Sequence, residues 1–362
     1  MHPARTSMTF KRSRLSVRNR CVLAALTNKQ SHDDGRLSVE EHRWLVERAI
    51  GGFGIVTTAA AHVTQSGQGW TGELGVWSDD HLPGLARLAK DLQQHGAVGL
   101  VQLFHGGMRA PESITGRQPM TASETPLHPD EPATARAMTA VEIEETVEAF
   151  AAAAHRCEQA GFEGVELHGA HGYLIAQFMA PYANRRIDKW GLSQDPIAFL
   201  RAVVRRTRER TGPDFLVGVR LSPKLPQLNF QFQEALDVLD ATLSLDLDFL
   251  HLSCWDIAEE GDVNGTSKPY TAWYAERIDG AIPLITTGTV WDGADARKAM
   301  EQGADLVGVG RVGIAHPNWP ELLVTPNAKV PRPPFTEEHL STAGLSPVFI
   351  DYMRRWKGFV AD

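Results

Sequence analysis

The sequence predicts an α/β protein built as one (β/α)8 barrel, a TIM barrel, with a C-terminal extension. Eight short runs of apolar and β-branched residues recur along the chain, most of them without the polar alternation of a half-exposed strand. Helix-like segments lie between them, which implies βαβ units and a parallel sheet. No GxGxxG follows the first run, so the fingerprint of a Rossmann domain is missing. Eight strands in unbroken alternation favour a closed barrel over an open sheet.

In order, the runs are CVLAALT (21–27), FGIVTTAA (53–60), AVGLVQLF (97–104), EGVELHG (163–169), FLVGVRLS (215–222), DFLHLSC (248–254), IPLITTGT (282–289) and ADLVGVGR (304–311). Predicted helices occupy SVEEHRWLVERAIGG, DDHLPGLARLAKDLQQHG, TAVEIEETVEAFAAAAHRCEQAG, DPIAFLRAVVRRTRERTG and GADARKAMEQG. The first opens on Ser38 with Glu41 three residues later, a capping-box pattern, and ends in glycines. Residues 1–325 form the expected barrel, preceded by a short basic arm. The Pro-rich stretch from 326 leaves it for an extension, 326–362, that contains SPVFIDYMRRW. That tail either covers a neighbouring subunit's site in a homo-oligomer or packs on its own barrel.

Composition narrows the function. Lys and Arg number 36 against 44 Asp and Glu, a formal charge of −8, which gives no electrostatic support for nucleic-acid binding. The local basic run KRSRLSVRNR (11–20) reads as a surface-exposed N-terminal arm. Cys21, Cys157 and Cys254 form no CxxC pair, which argues against a zinc ribbon or a four-cysteine iron–sulfur site, and their odd count argues against a disulfide framework. No run approaches the about 20 apolar residues of a membrane span, and no signal-peptide pattern follows the basic arm. A cytoplasmic location is expected, with no membrane partner.

Barrel enzymes build their sites at the C-terminal ends of the strands. Here those ends carry Ala25-Leu26-Thr27, Thr58-Ala59-Ala60, Gln102 with His105, and His168 with His171 and Tyr173. Later ends carry Arg220, His251 to Cys254, Thr287-Gly288-Thr289 and Gly308-Val309-Gly310-Arg311. The set is rich in donors, poor in carboxylates and free of lysine, unlike a two-carboxylate hydrolase or a Schiff-base aldolase. Gly288, Gly308, Gly310 and Arg311, after the last two strands, suit phosphate binding through backbone N–H groups and a cation. His168 and His171 leave three readings open: a metal pair, two structurally satisfied histidines, or donors that grip an anionic or carbonyl oxygen. In the last, Tyr173 stands beside them as a weak acid. No metal site is expected, because strand one lacks the extra ligands.

The stretch HGAHGYLIAQFMAPYANRRID resembles the signature of the Old Yellow Enzyme family of FMN-dependent ene-reductases. LAALTNKQSHDDGRLSVEEHRWLVERAIGGFGIVTTAAAHV, VQLFHGG and the closing GVGR extend the resemblance from about residue 15 to about 325. It implies a barrel holding one FMN, reduced by NADPH or NADH, that reduces the C=C bond of electron-poor alkenes such as enones, maleimides and nitroalkenes. It further implies that His168 and His171 bind the activating oxygen and that Tyr173 donates the proton. Ala25, Leu26 and Thr27 would meet the flavin edge, Ala60 and Gln102 its pyrimidine side, and Arg220 its N1 and O2. Gly288, Gly310 and Arg311 would grip its phosphate. Two departures stand out: WGLSQDPIAF has Leu192 for an expected glycine and is one residue short, and Gly288 is followed by Thr289 where a second glycine is usual. The additional C-terminal domains of longer members are not expected here, so hydride would come from diffusing NAD(P)H. The alternatives are a metal-dependent barrel hydrolase using His105, His168 and His171, and an FMN-binding barrel without turnover.

Overall fold

In the computed structural model, which describes residues 2–127, 133–324 and 328–362, all eight apolar runs become barrel strands. They are β1 (Cys21–Leu23), β2 (Ile55–His62), β3 (Val98–Phe104), β4 (Gly164–Gly169), β5 (Leu216–Leu221), β6 (Phe249–Ser253), β7 (Leu284–Thr287) and β8 (Leu306–Val309). Neighbours run parallel, and β8 returns to β1 with Val307 opposite Cys21, so the sheet closes. Most strands are shorter than their runs, trimmed at one or both ends; in β1, β7 and β8 the residues that leave the ladder at the C-terminal end line the mouth. Both barrel faces are covered, which explains the missing polar alternation.

The five expected helices are α1 (Val39–Ile50), α2 (Leu82–Gln94), α3 (Ala140–Gln159), α4 (Ala198–Arg210) and, after β7, a helix over Gly293–Glu301. Two more, Phe232–Thr242 and Tyr270–Ile278, follow β5 and β6 and complete the outer ring. Ser38 caps α1 by accepting the Glu41 N–H at 3.0 Å. The other half of the box does not form, because the buried Glu41 carboxylate instead accepts from Asn28 and Ser31 in the loop after β1. Thr139 and Glu142 make the full capping box on α3.

The basic N-terminal segment is not a free arm. Met8–Thr9 pairs with Ser16–Val17, and the fully buried Phe10 enters the base of the barrel against Phe249, ring centroids 6.3 Å apart. Three of the segment's arginines bind groups near the strand starts: Arg12 reaches Asp248, Arg18 the Phe53 carbonyl and the Ala49 carbonyl at the end of α1, and Arg20 the Asp305 carbonyl. Backbone carbonyls and the Asp248 carboxylate at the barrel base thus take up part of the run of positive charge.

The proposed division at 325/326 falls in residues 325–327, and part of the 106–138 loop in 128–132, both outside the described residues. The tail packs on its own barrel: Phe349 meets Trp44 edge to face at 5.3 Å, and Phe335 exchanges backbone hydrogen bonds with Phe359 and Ala361. Among the described residues no helix is long and apolar enough to cross a membrane.

Candidate active site

Strand register assembles the floor of the mouth. Glu166 lies opposite Gln102 on β3, His168 opposite Arg220 on β5, and Arg220 opposite His251 on β6. Glu166 and His168 are two apart on β4, so both face inward. Gln102 Nε2 donates to Glu166 Oε1 at 2.7 Å, and His251 Nδ1 lies 2.6 Å from Glu166 Oε2. Nε2 of the same imidazole lies 2.5 Å from the Thr287 hydroxyl. Burial pushes the Glu166 carboxyl up, but His251, Arg220 and Gln102 outweigh it and leave it below the ordinary carboxylate range. Burial pulls the Arg220 guanidinium down while Glu166 opposes the shift. A buried carboxylate and a buried guanidinium therefore balance under the cavity.

Above this layer stand the three ring side chains of the H-G-A-H-G-Y block. His168 lies 5.0 Å from His171 and 4.9 Å from Tyr173, centroid to centroid, and Tyr173 packs edge to face on Phe104 at 4.5 Å. Burial first, then the neighbouring imidazole and cations, drives the His168 pKa well below its usual value; burial, Arg220 and Arg109 do the same for His171. Both are neutral, each with one N–H. The Ala170 N–H donates to His168 Nδ1 at 3.3 Å, so the hydrogen-bond network assigns the proton to Nε2. Arg220 Nη2 donates to Ser253 Oγ at 3.1 Å, and the same hydroxyl lies 2.9 Å from His171 Nε2 and holds that ring in place. His171 and Gly172 both have positive φ, 60° and 79°. For a histidine this conformation is uncommon, and strain of this kind concentrates at functional sites. Burial raises the Tyr173 phenol and Arg109 pulls it back.

All twelve expected residues, Ala25, Leu26, Thr27, Ala60, Gln102, His168, His171, Tyr173, Arg220, Gly288, Gly310 and Arg311, line one cavity of about 630 Å³ at the C-terminal end of the barrel. His105 does not line it. Its ring lies against Gly67 and its Nε2 has no partner among the described residues, so the trio His105, His168 and His171 does not converge. Among the described residues no three His, Cys, Asp or Glu side chains group as a metal ion requires. None of residues 186–199, which include the shortened WGLSQDPIAF segment, reaches the cavity. Asn184 ties that segment down through the Phe178 and Trp190 carbonyls.

Sequence reasoning missed several lining residues: Lys29 and Trp70 in loops after β1 and β2, Arg109 after β3, Trp255 after β6, and Tyr352, Arg355 and Trp356 from the tail. The loop residues lie just beyond strand ends already singled out, so widening each window would have found them. Nothing local marks the tail residues.

Residues 8–326 match the model of the NADH:flavin oxidoreductase / NADH oxidase family. A probable NADH-dependent flavin oxidoreductase of Bacillus subtilis, YqiG, is 35% identical over 319 residues, 86% of this chain and 85% of that protein. The NADH:acrylate oxidoreductase of Vibrio harveyi is 33% identical over 85% of this chain, which spans 32% of that longer protein. Among solved structures, the old yellow enzyme homologue from Zymomonas mobilis superposes with a TM-score of 0.79 at 25% identity, covering 93% of this chain and 96% of that one. Morphinone reductase in complex with tetrahydroNAD gives 0.77 at 26% identity, covering 93% of each. A closed barrel with a donor-lined, phosphate-suited mouth is thus a flavin-dependent oxidoreductase. The chain belongs to the NADH:flavin oxidoreductase / NADH oxidase family, the old yellow enzyme family, with FMN as cofactor and NAD(P)H as electron donor.

The residues present fit FMN. Arg220 Nε is buried without a partner among the described residues, as a donor awaiting an acceptor would be. At Gly308 a Cβ would stand 2.1 Å from Thr287 Oγ1, so only glycine fits there, between β7 and the His251 ring. Thr289 occupies the left-handed region at φ 48°, the conformation a glycine would take freely. Its hydroxyl is held by the Trp255 carbonyl at 2.8 Å and accepts from Arg311.

Proposed function

We propose that this oxidoreductase reduces the C=C bond of electron-poor alkenes, with His168 and His171 binding the activating oxygen and Tyr173 donating the proton. The observation that carries the reading is the cluster of two neutral imidazoles and one phenol on a single wall of the cavity. When bound, FMN supplies the hydride. Ala25, Leu26, Thr27, Ala60, Gln102 and Arg220 would surround its ring system, and Gly288, Gly310 and Arg311 its phosphate. Two N–H donors fixed by their own hydrogen bonds stabilise negative charge as it develops on a carbonyl or nitro oxygen, without reorganising. The phenol, kept protonated by burial, gives its proton to the carbon next to that activated group. The V. harveyi relative's name specifies acrylate, an alkene conjugated to a carboxyl group, which supports an alkene acceptor here.

The test is Tyr173→Phe in stopped flow. Flavin reduction by NAD(P)H is expected to stay within a factor of about two, while reoxidation by an enone or maleimide slows by about 10²-fold or more, the usual size of a general-acid contribution. Equal slowing of both half-reactions would remove the proton-donor role.

A further inference from the structure

The chain as a whole carries a formal charge of −8, yet among the described residues the cavity is lined by Lys29, Arg109, Arg220, Arg311 and Arg355 and by no Asp or Glu. Two of these cations are committed. Arg220 lies on the floor with Glu166 to match its charge, and Arg311 sits with Gly288 and Thr289 at the end suited to the FMN phosphate. Lys29, Arg109 and Arg355 are left. Among the described residues their side chains make one hydrogen bond between them, from Arg109 Nη1 to the His171 carbonyl at 2.6 Å.

These three gather on the Tyr173 side of the cavity. Arg109 Cζ lies 4.5 Å from the Tyr173 ring centroid, while Lys29 Nζ and Arg355 Cζ flank the Tyr352 ring at 5.6 and 5.3 Å. Arg109 and Arg355 both bear electrostatically on the Tyr173 hydroxyl. An isolated surface cation is solvated and of little consequence. Three around one side of a cavity with no carboxylate among its described lining residues hold a positive potential that a low-dielectric wall focuses.

We infer that the preferred alkene carries, apart from the oxygen that polarises its double bond, a carboxylate held by Arg109, Lys29 and Arg355. The inference rests on the alkene-reduction reading above and names the substrate class for that site. Guanidinium groups suit this role because they can meet a carboxylate with two parallel N–H donors.

The probes are 3-maleimidopropionate and 3-maleimidopropionamide, equal in size and in activation of the double bond but different in charge. At low ionic strength the holoenzyme should favour the anion in kcat/KM by about tenfold, the effect of one charge at about 6 Å in a medium of dielectric constant about 40. Molar salt should remove most of that preference. The anion-to-amide ratio should fall toward one in Arg109→Gln and Arg355→Gln; the salt series on the unaltered enzyme keeps the test independent of variant folding. Equal turnover of both maleimides by the unaltered enzyme at low salt overturns this inference alone. No turnover of either, with flavin still reduced by NAD(P)H, overturns the alkene reading and this inference with it. If the variants instead lose a preference for NADPH over NADH while the maleimide ratio stays at one, the cations hold the nucleotide's phosphate and the inference fails.

Discussion

Glu166→Gln isolates the charge beneath the cavity. The substitution keeps the size of the side chain and removes the one carboxylate that balances the buried Arg220. Hydrogen bonding can largely recover. Glu166 now takes Gln102 Nε2 at 2.7 Å on one oxygen and His251 Nδ1 at 2.6 Å on the other. An amide offers one acceptor and one donor, and the His251 proton can move to Nε2 toward Thr287 to match it. The charge has no such remedy, and a buried ion left without its partner costs about 3 kcal/mol or more. The assay is urea unfolding of the holoenzyme at fixed excess FMN, since ligand binding sets apparent stability. pH supplies the control. Glu166 titrates in the folded protein below the ordinary carboxylate range, so its contribution is complete above that range and is lost as pH falls through the folded value. The gap between the two proteins should therefore be full near neutrality and narrow in acid. A loss under about 1 kcal/mol at pH 7, or a gap that stays constant on acidification, would refute charge balance as the role of Glu166.

Three further outcomes follow from the same geometry. Gly308→Ala must move the Thr287 hydroxyl, which a Cβ would approach to 2.1 Å, so it should break the His251–Thr287 contact and cost about 2 kcal/mol in stability, read by thermal unfolding, with weaker FMN retention on gel filtration. Arg311→Gln should raise the FMN dissociation constant by about tenfold, a loss on the scale of one charge-assisted hydrogen bond, and flatten its salt dependence in fluorescence titration. His168 and His171 have pKa values driven well below the usual imidazole value, so both stay neutral from mildly acid to alkaline pH. The second-order rate constant for reoxidation by 2-cyclohexenone should then show no inflection near pH 6.5; a clear one would place a titrating histidine in the oxygen site.

The barrel was legible because its strands are buried on both faces, a state that writes itself into the sequence as near-continuous apolar runs. The two missed helices have weaker signals. Phe232–Thr242 follows a proline-interrupted stretch, and Tyr270–Ile278 begins YTAW, where aromatic and β-branched residues dilute helix propensity. The basic run misled for a different reason. Arg18 and Arg20 bind backbone carbonyls at the barrel base and Arg12 the distant Asp248, and neither a carbonyl acceptor nor a partner 236 residues away leaves a trace in the local sequence.

The same distinction separates the two halves of the site. His168, His171, Tyr173, Arg220 and Gly310 lie at or near the ends of strands whose order and register the fold dictates, so position along the chain converts directly into position at the mouth. Lys29, Arg109 and Arg355 are joined by no such rule. They come from the loop after β1, the loop after β3 and the C-terminal tail, and only tertiary packing brings them to one side of one cavity. The strand ends are held in place by the barrel itself. Loops and tails tolerate change more readily than strands, and that tolerance is what lets one scaffold take many substrates. If the three cations select an anionic alkene, the chemistry of this enzyme is written in its strands and its choice of substrate in residues that sequence order keeps 80 and 246 positions apart.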